Sequence, residues 1–202
     1  MTKFLTLKHW QLFGLLLGLP MIFQFVFMGS ILSRNNPTII FKVFPVMMIL
    51  YMGLFMGWFY SLGTNLHKKL PETVTMNLKK FKIFLFIPSV YMLIFSVLMS
   101  NMFSNASLGI AMNLSIFGII FPLHLFSMFC IFYCMYFISK EFKAVEWQKP
   151  VTFSDFAGEF FLIWFFPLGI WIIQPRINKL FDNNTDGETE NENPSNPVQP
   201  DM

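Results

Sequence analysis

The stretch KIFLFIPSVYMLIFSVLMSNMFSNASLGIAMNLSIFGIIFPLHLFSMFCIFYCMYFISK, from Lys82 to Lys140, carries no Asp, Glu, Lys or Arg between its two ends. A soluble core has no use for 57 uncharged residues in a row, whereas a bilayer requires such runs. The rest of the chain agrees. Of 202 residues, 55% are hydrophobic and 12% charged, about half the roughly 25% charge of soluble domains. A soluble enzyme, a nucleic-acid binder and a disulfide-stapled secreted domain are excluded on this ground. The expected fold class is all-α: a polytopic membrane protein.

A hydrocarbon core about 30 Å thick takes roughly 20 apolar helical residues to cross. The long stretch holds two such runs, 83–99 and 110–139, with a turn expected at the polar and small residues 100–109. Upstream lie two more, 10–33 and 43–66. The first exceeds a signal peptide's apolar region, and no small-x-small cleavage site follows it, so it is read as a retained span. Downstream, Thr152-Phe153-Ser154-Asp155 has the form of a capping box. It opens a fifth segment, 153–174, whose apolar run is split by Pro167-Leu168-Gly169 into arms too short to cross. Four spans plus one embedded segment are therefore expected, with five spans as the alternative.

Charge placement sets an orientation. With the N-terminus inside, ten Lys residues fall on inner segments, against Arg34 and Lys42 on the outer loops, a positive-inside pattern. This places the N-terminus in the cytoplasm of a bacterial cell, beneath its inner membrane. Arg176 and Lys179 join the inner set if the fifth segment turns back. The formal net charge of +3 hides a basic body and an acidic tail, 182–202, without any basic or aromatic residue. The tail is expected to be disordered, since it has little apolar surface to bury, and cytoplasmic.

Small residues suggest where helices pack. Gly14 and Gly18 lie four apart on the first run; Gly53, Gly57 and Ser61 follow the same spacing on the second. Such spacing lets backbones approach closely, and matched depths point to a hairpin between the two runs, or else to a dimer face.

Chemistry is sparse. The four runs hold no acidic or basic side chain in their interiors, which removes the groups that proton-coupled carriers and voltage sensors need. The exception is His124, two residues after Pro122. It is a candidate polar site, or else a neutral imidazole bonded to a freed carbonyl or to Ser127. Cys130 and Cys134 share a helix face, but His124 lies off it and no third ligand is at hand, so neither a metal nor a cofactor is expected. Met48, Met52 and Met56 form a thioether stripe, as a soft-metal path or as ordinary packing. Signatures of membrane proteases, desaturases, acyl and alcohol transferases and nucleotide loops are absent. The sequence thus leads to a non-catalytic accessory or scaffolding subunit. Its partners would be the lipid bilayer and either a protein or a second copy bound through small-residue faces, with no nucleic acid. The alternative is a small transporter or channel for an apolar or soft-metal solute.

Overall fold

The computed structural model describes residues 3–32, 38–107 and 114–182. The acidic tail after Asp182, residues 110–113 of the fourth expected span and Ser33 at the end of the first lie outside the described residues. Helices make up the described chain: α1 (Lys3–Thr6), α2 (His9–Phe13), a π-helical turn (Gly14–Gly18) leading into α3 (Leu19–Leu32), α4 (Thr38–His67), α5 (Leu78–Ser107), α6 (Phe117–Trp147), α7 (Phe153–Trp164) and α8 (Phe166–Asp182). Four windows are long and apolar enough to cross a membrane: His9–Val26, Pro45–His67, Leu78–Met102 and Phe117–Trp147. The chain is an all-helical, multi-pass membrane protein by this length and composition.

Two boundaries differ from expectation. Over 100–107 the turn foreseen at 100–109 is helix instead, α5 running on to Ser107, and 108–109 lie outside the described residues. Between Ser100 and Ser107 only Ser and Asn interrupt the apolar pattern, with no Gly or Pro, and their helix penalty is small. At its far end α6 extends past the charge-free run to Trp147 and stops on Gln148 in the left-handed region (φ 52°), whose side-chain amide donates to the Val145 carbonyl at 2.7 Å. Pro150 follows and cannot continue the helix.

The core sits at the lysine-rich ends of α4, α5 and α6. Trp58, Phe59, Leu62 and Leu66 of α4 meet Phe81 of α5 and Phe137, Ile138 and Phe142 of α6, all essentially without exposure. Phe81 and Phe137 stack with ring centroids 4.6 Å apart. Toward the other end the helices expose apolar side chains such as Phe25, Leu93, Ile94 and Ile119. The first crossing helix is the least packed: 11% of His9–Val26 is buried, against 39% of Pro45–His67.

The glycine hairpin expected between the first and second runs is corrected by this geometry. A Cβ added to Gly14, Gly18 or Gly53 would meet nothing within 4 Å, and one on Gly57 would rest 3.5 Å from the Phe4 ring. The close approach falls instead at Gly63, where a Cβ would stand 2.5 Å from the Phe81 ring. The reason is rotational: α4 buries the face of Phe59, Leu62, Gly63 and Leu66 against its neighbours, so Gly53 is left on the outside. Gly63→Ala is accordingly expected to destabilise the detergent-solubilised protein by about 1–3 kcal/mol through overpacking. Gly53→Ala, placed in open space, should show no loss in the same thermal melt.

The fifth segment is a helical hairpin. The capping box forms, with the Thr152 amide donating to the Asp155 carboxylate at 2.7 Å. Helix α7 ends at Phe165 (φ −88°, ψ 53°) and α8 starts at once, with Pro167 in its first turn, where a missing amide proton costs least. Gly169 allows the reversal, since any Cβ there would run into the Leu162 carbonyl. Neither arm is among the helices able to cross. The α7 arm packs along α6, with Phe132 edge-on to Trp164 and Tyr136 against Phe156. The α8 arm closes over the N-terminal helices, with Trp171 against His9 and Phe13.

Candidate functional site

Ionisable groups converge where α4, α6 and the hairpin meet, at the lysine-rich end. Continuation of α6 beyond Ser139 carries Glu141, Lys143 and Glu146 back toward the hairpin; the fold of α7 onto α8 brings Glu159 and Arg176 beside them. Arg176 donates through Nε and Nη2 to the two Glu146 oxygens at 2.9 and 2.6 Å, and Nη2 also reaches Glu159 Oε1 at 2.8 Å. Lys143 Nζ donates to the same Glu159 oxygen at 2.9 Å and lies 3.3 Å from Glu146 Oε2. The guanidinium also covers the Phe142 ring, 4.8 Å from its centroid. Burial alone would push the Glu159 carboxyl up, but the hydrogen bonds from Arg176 and Lys143 outweigh it and hold the group below the usual glutamate range. Arg176 is held above its ordinary value: burial opposes its charge, and the two carboxylates more than offset that.

A second polar contact lies deeper. Glu141 has no exposure, and its Oε1 is 2.7 Å from Nδ1 of His67, the last residue of α4. Its Oε2 is buried without a partner. Gln174 of α8, also fully buried, donates to the Phe4 and Leu7 carbonyls at 3.0 and 3.1 Å, capping the short α1 helix from a residue 170 positions away. Lys69 Nζ donates to the Leu180 carbonyl and covers the Phe181 ring at 4.1 Å; burial lowers its pKa. These bonds tie the ends of α1, α4, α6 and α8 together. In the cluster of Lys143, Glu146, Glu159 and Arg176 the acids and bases face one another across α6, α7 and α8.

His124 Nδ1 is hydrogen-bonded to the Tyr91 hydroxyl of α5 at 3.1 Å, with the Phe95 ring nearby. Its partner is thus neither a freed carbonyl nor Ser127, whose hydroxyl is buried without a partner. Cys130 and Cys134 are fully buried. Among the described residues no three His, Cys, Asp or Glu side chains gather as a metal site would require. The methionine stripe is divided: Met48 lines a cavity of about 350 Å³ against the first helix, Met52 packs on the core, and Met56 lines a groove toward α5. Gly14, Gly18 and Gly53 meet no neighbour, whereas Ser61 is buried, its carbonyl accepting from the Asn65 side chain at 2.8 Å.

Sequence reasoning missed the ionic cluster because it counted Lys143 and Arg176 as solvated flanks. The available signal was acidic: Glu141, Glu146 and Glu159 are three of only five acids before the tail, all close to those bases. Compared with protein-family models, with curated proteins and with solved structures, the chain matches none.

Proposed function

We propose that this protein is a non-catalytic accessory or scaffolding subunit of a membrane assembly, located in the bacterial cytoplasmic membrane with both termini in the cytoplasm. The observation that carries this reading is the first crossing helix. Only 11% of His9–Val26 is buried, and Ile22, Phe25 and Val26 are more than half exposed. On the same helix Gly14 and Gly18 meet nothing within 4 Å, so a partner helix can approach its backbone closely. The ionic cluster supports the non-catalytic part, since its members are engaged in joining helices.

The test separates assembly from folding. Gly14→Leu and Gly18→Leu place side chains in open space, so the protein's own melting temperature should hold. Co-purification of a stoichiometric partner, or of a second tagged copy, should be lost after mild detergent extraction. A strictly monomeric, partner-free protein at native expression overturns the proposal. The topology has its own check: a cysteine replacing Asn196 is expected to react with a membrane-impermeant thiol reagent only after cells are broken open, and labelling in intact spheroplasts would reverse it.

A further inference from the structure

On the side of α4 that faces α5, two cavities run end to end. The one at the lysine-rich end, about 390 Å³, is lined by Tyr60, Thr64, Asn65, Lys68 and Lys82, among others. The next, about 490 Å³, is lined by Met56, Gly57, Leu85, Phe86 and Ser89. Tyr60 and Lys82 line both, and the Lys82 ammonium lies over the Tyr60 ring at 5.7 Å. The two are therefore one groove with a basic, polar mouth and an apolar continuation. Periodicity explains the continuity: Met56, Tyr60 and Thr64 recur every four residues of α4, Lys68 follows just past its end, and Lys82, Phe86 and Ser89 follow one face of α5.

Both lysines are exposed, and no acidic residue lines either cavity. The nearby acid, Glu141, is buried and bonded to His67. Lys82 is also the last charge before the long uncharged stretch, so the groove beyond it lies along lipid-facing helix. From Lys82 to Ser89 the helix rises about 10 Å, the length of an upper acyl segment beneath a headgroup phosphate.

We infer that this groove between α4 and α5 binds one anionic phospholipid, its phosphate between Lys68 and Lys82 and an acyl chain along Met56, Leu85, Phe86 and Ser89. Charge complementarity selects the headgroup, and the apolar continuation selects a lipid over a soluble phosphate. Basic pockets between membrane helices recognise anionic headgroups on this principle. The site is independent of any protein partner on the first helix.

Native mass spectrometry of the full-length, delipidated protein tests it, with phosphatidylglycerol and phosphatidylcholine of identical acyl chains as probes. One phosphatidylglycerol is expected to bind in preference to phosphatidylcholine. Lys68→Gln with Lys82→Gln should weaken that binding by about tenfold or more. Lys79→Gln with Lys80→Gln removes the same charge from α5 outside the groove and should leave binding unchanged. Glycerol phosphate alone should bind far more weakly than the lipid. Equal binding of the two lipids, equal loss in both double variants, or full binding of glycerol phosphate would each overturn the assignment.

Discussion

Valine in place of Gly169 is expected to open the α7–α8 hairpin and destabilise the detergent-solubilised protein by about 3 kcal/mol or more. The magnitude follows from what the new side chain meets. A Cβ at this position collides with the Leu162 carbonyl, and a backbone group in a helix cannot swing aside as a side-chain tip can. The arms must therefore separate. Separation displaces Ile170, Ile173 and Ile177, buried in the main core, and Gln174, which caps the N-terminal carbonyls. The loss should thus reach the N-terminal helices as well as the hairpin. Thermal unfolding followed by tryptophan emission suits the question, because Trp164 and Trp171 lie on opposite arms and Trp171 contacts His9 and Phe13. Gly158→Val is the matched control, since a Cβ there meets nothing within 4 Å. If Gly169→Val melts with the wild type, the tight reversal at Phe165 is wrong.

The crossing helices were legible because the bilayer imposes a crude and strong rule, apolar length without charge, which 83–139 satisfies twice over. That the fifth segment divides was legible for a similarly local reason, Pro167 and Gly169 within a short run, but the break falls before them, at Phe165, and α8 runs through both. Helix ends were less so. Ser100 and Asn101 looked like a turn, yet polar residues at a membrane surface are compatible with helix, and α5 continues to Ser107. Which face of a helix meets which neighbour was not legible at all. Gly53-x-x-x-Gly57 and Gly63 are equivalent by composition; only the packing of Phe59, Leu62 and Leu66 against α5 makes Gly63 the close contact. The ionic cluster failed for a related reason. Arg176 and Glu159 lie 17 residues apart in sequence, and what joins them is a hairpin whose arms had to fold back first. A base counted as a topology signal and a base serving as a buried tie look identical until that reversal is known.

Replacing Arg176 with methionine is the second large effect, expected to cost about 3 kcal/mol and to change how stability responds to acid. The guanidinium is shared between Glu146 and Glu159, and the Glu159 side chain is only 7% exposed. Removing it leaves two carboxylates facing each other with Lys143 alone between them. Breaking a buried pair from one side is costly because the remaining charge keeps its desolvation penalty; the 30% exposure of Arg176 places the effect at the low end of that range. The sign with pH follows from Glu159. Its carboxyl sits below the usual glutamate value when folded, so its contribution is fully present above the unfolded value of about 4.3 and is lost as pH falls through the lower, folded one. Without Arg176 burial still pushes the carboxyl up, while one of the two side-chain bonds that oppose it is gone. Less stability then depends on an ionised Glu159, so the acid-induced loss of stability should be shallower in the variant than in the wild type, as read by melts between neutral pH and pH 3. Arg176→Lys should fall between the two, since an ammonium keeps the charge but cannot reach both carboxylates with a planar fork. Adding Glu159→Gln to the methionine variant should cost little more, the non-additivity expected of partners in one network. Full additivity of the two changes, or superimposable pH profiles, would show that the α7–α8 hairpin is held to α6 by its apolar contacts and not by this cluster.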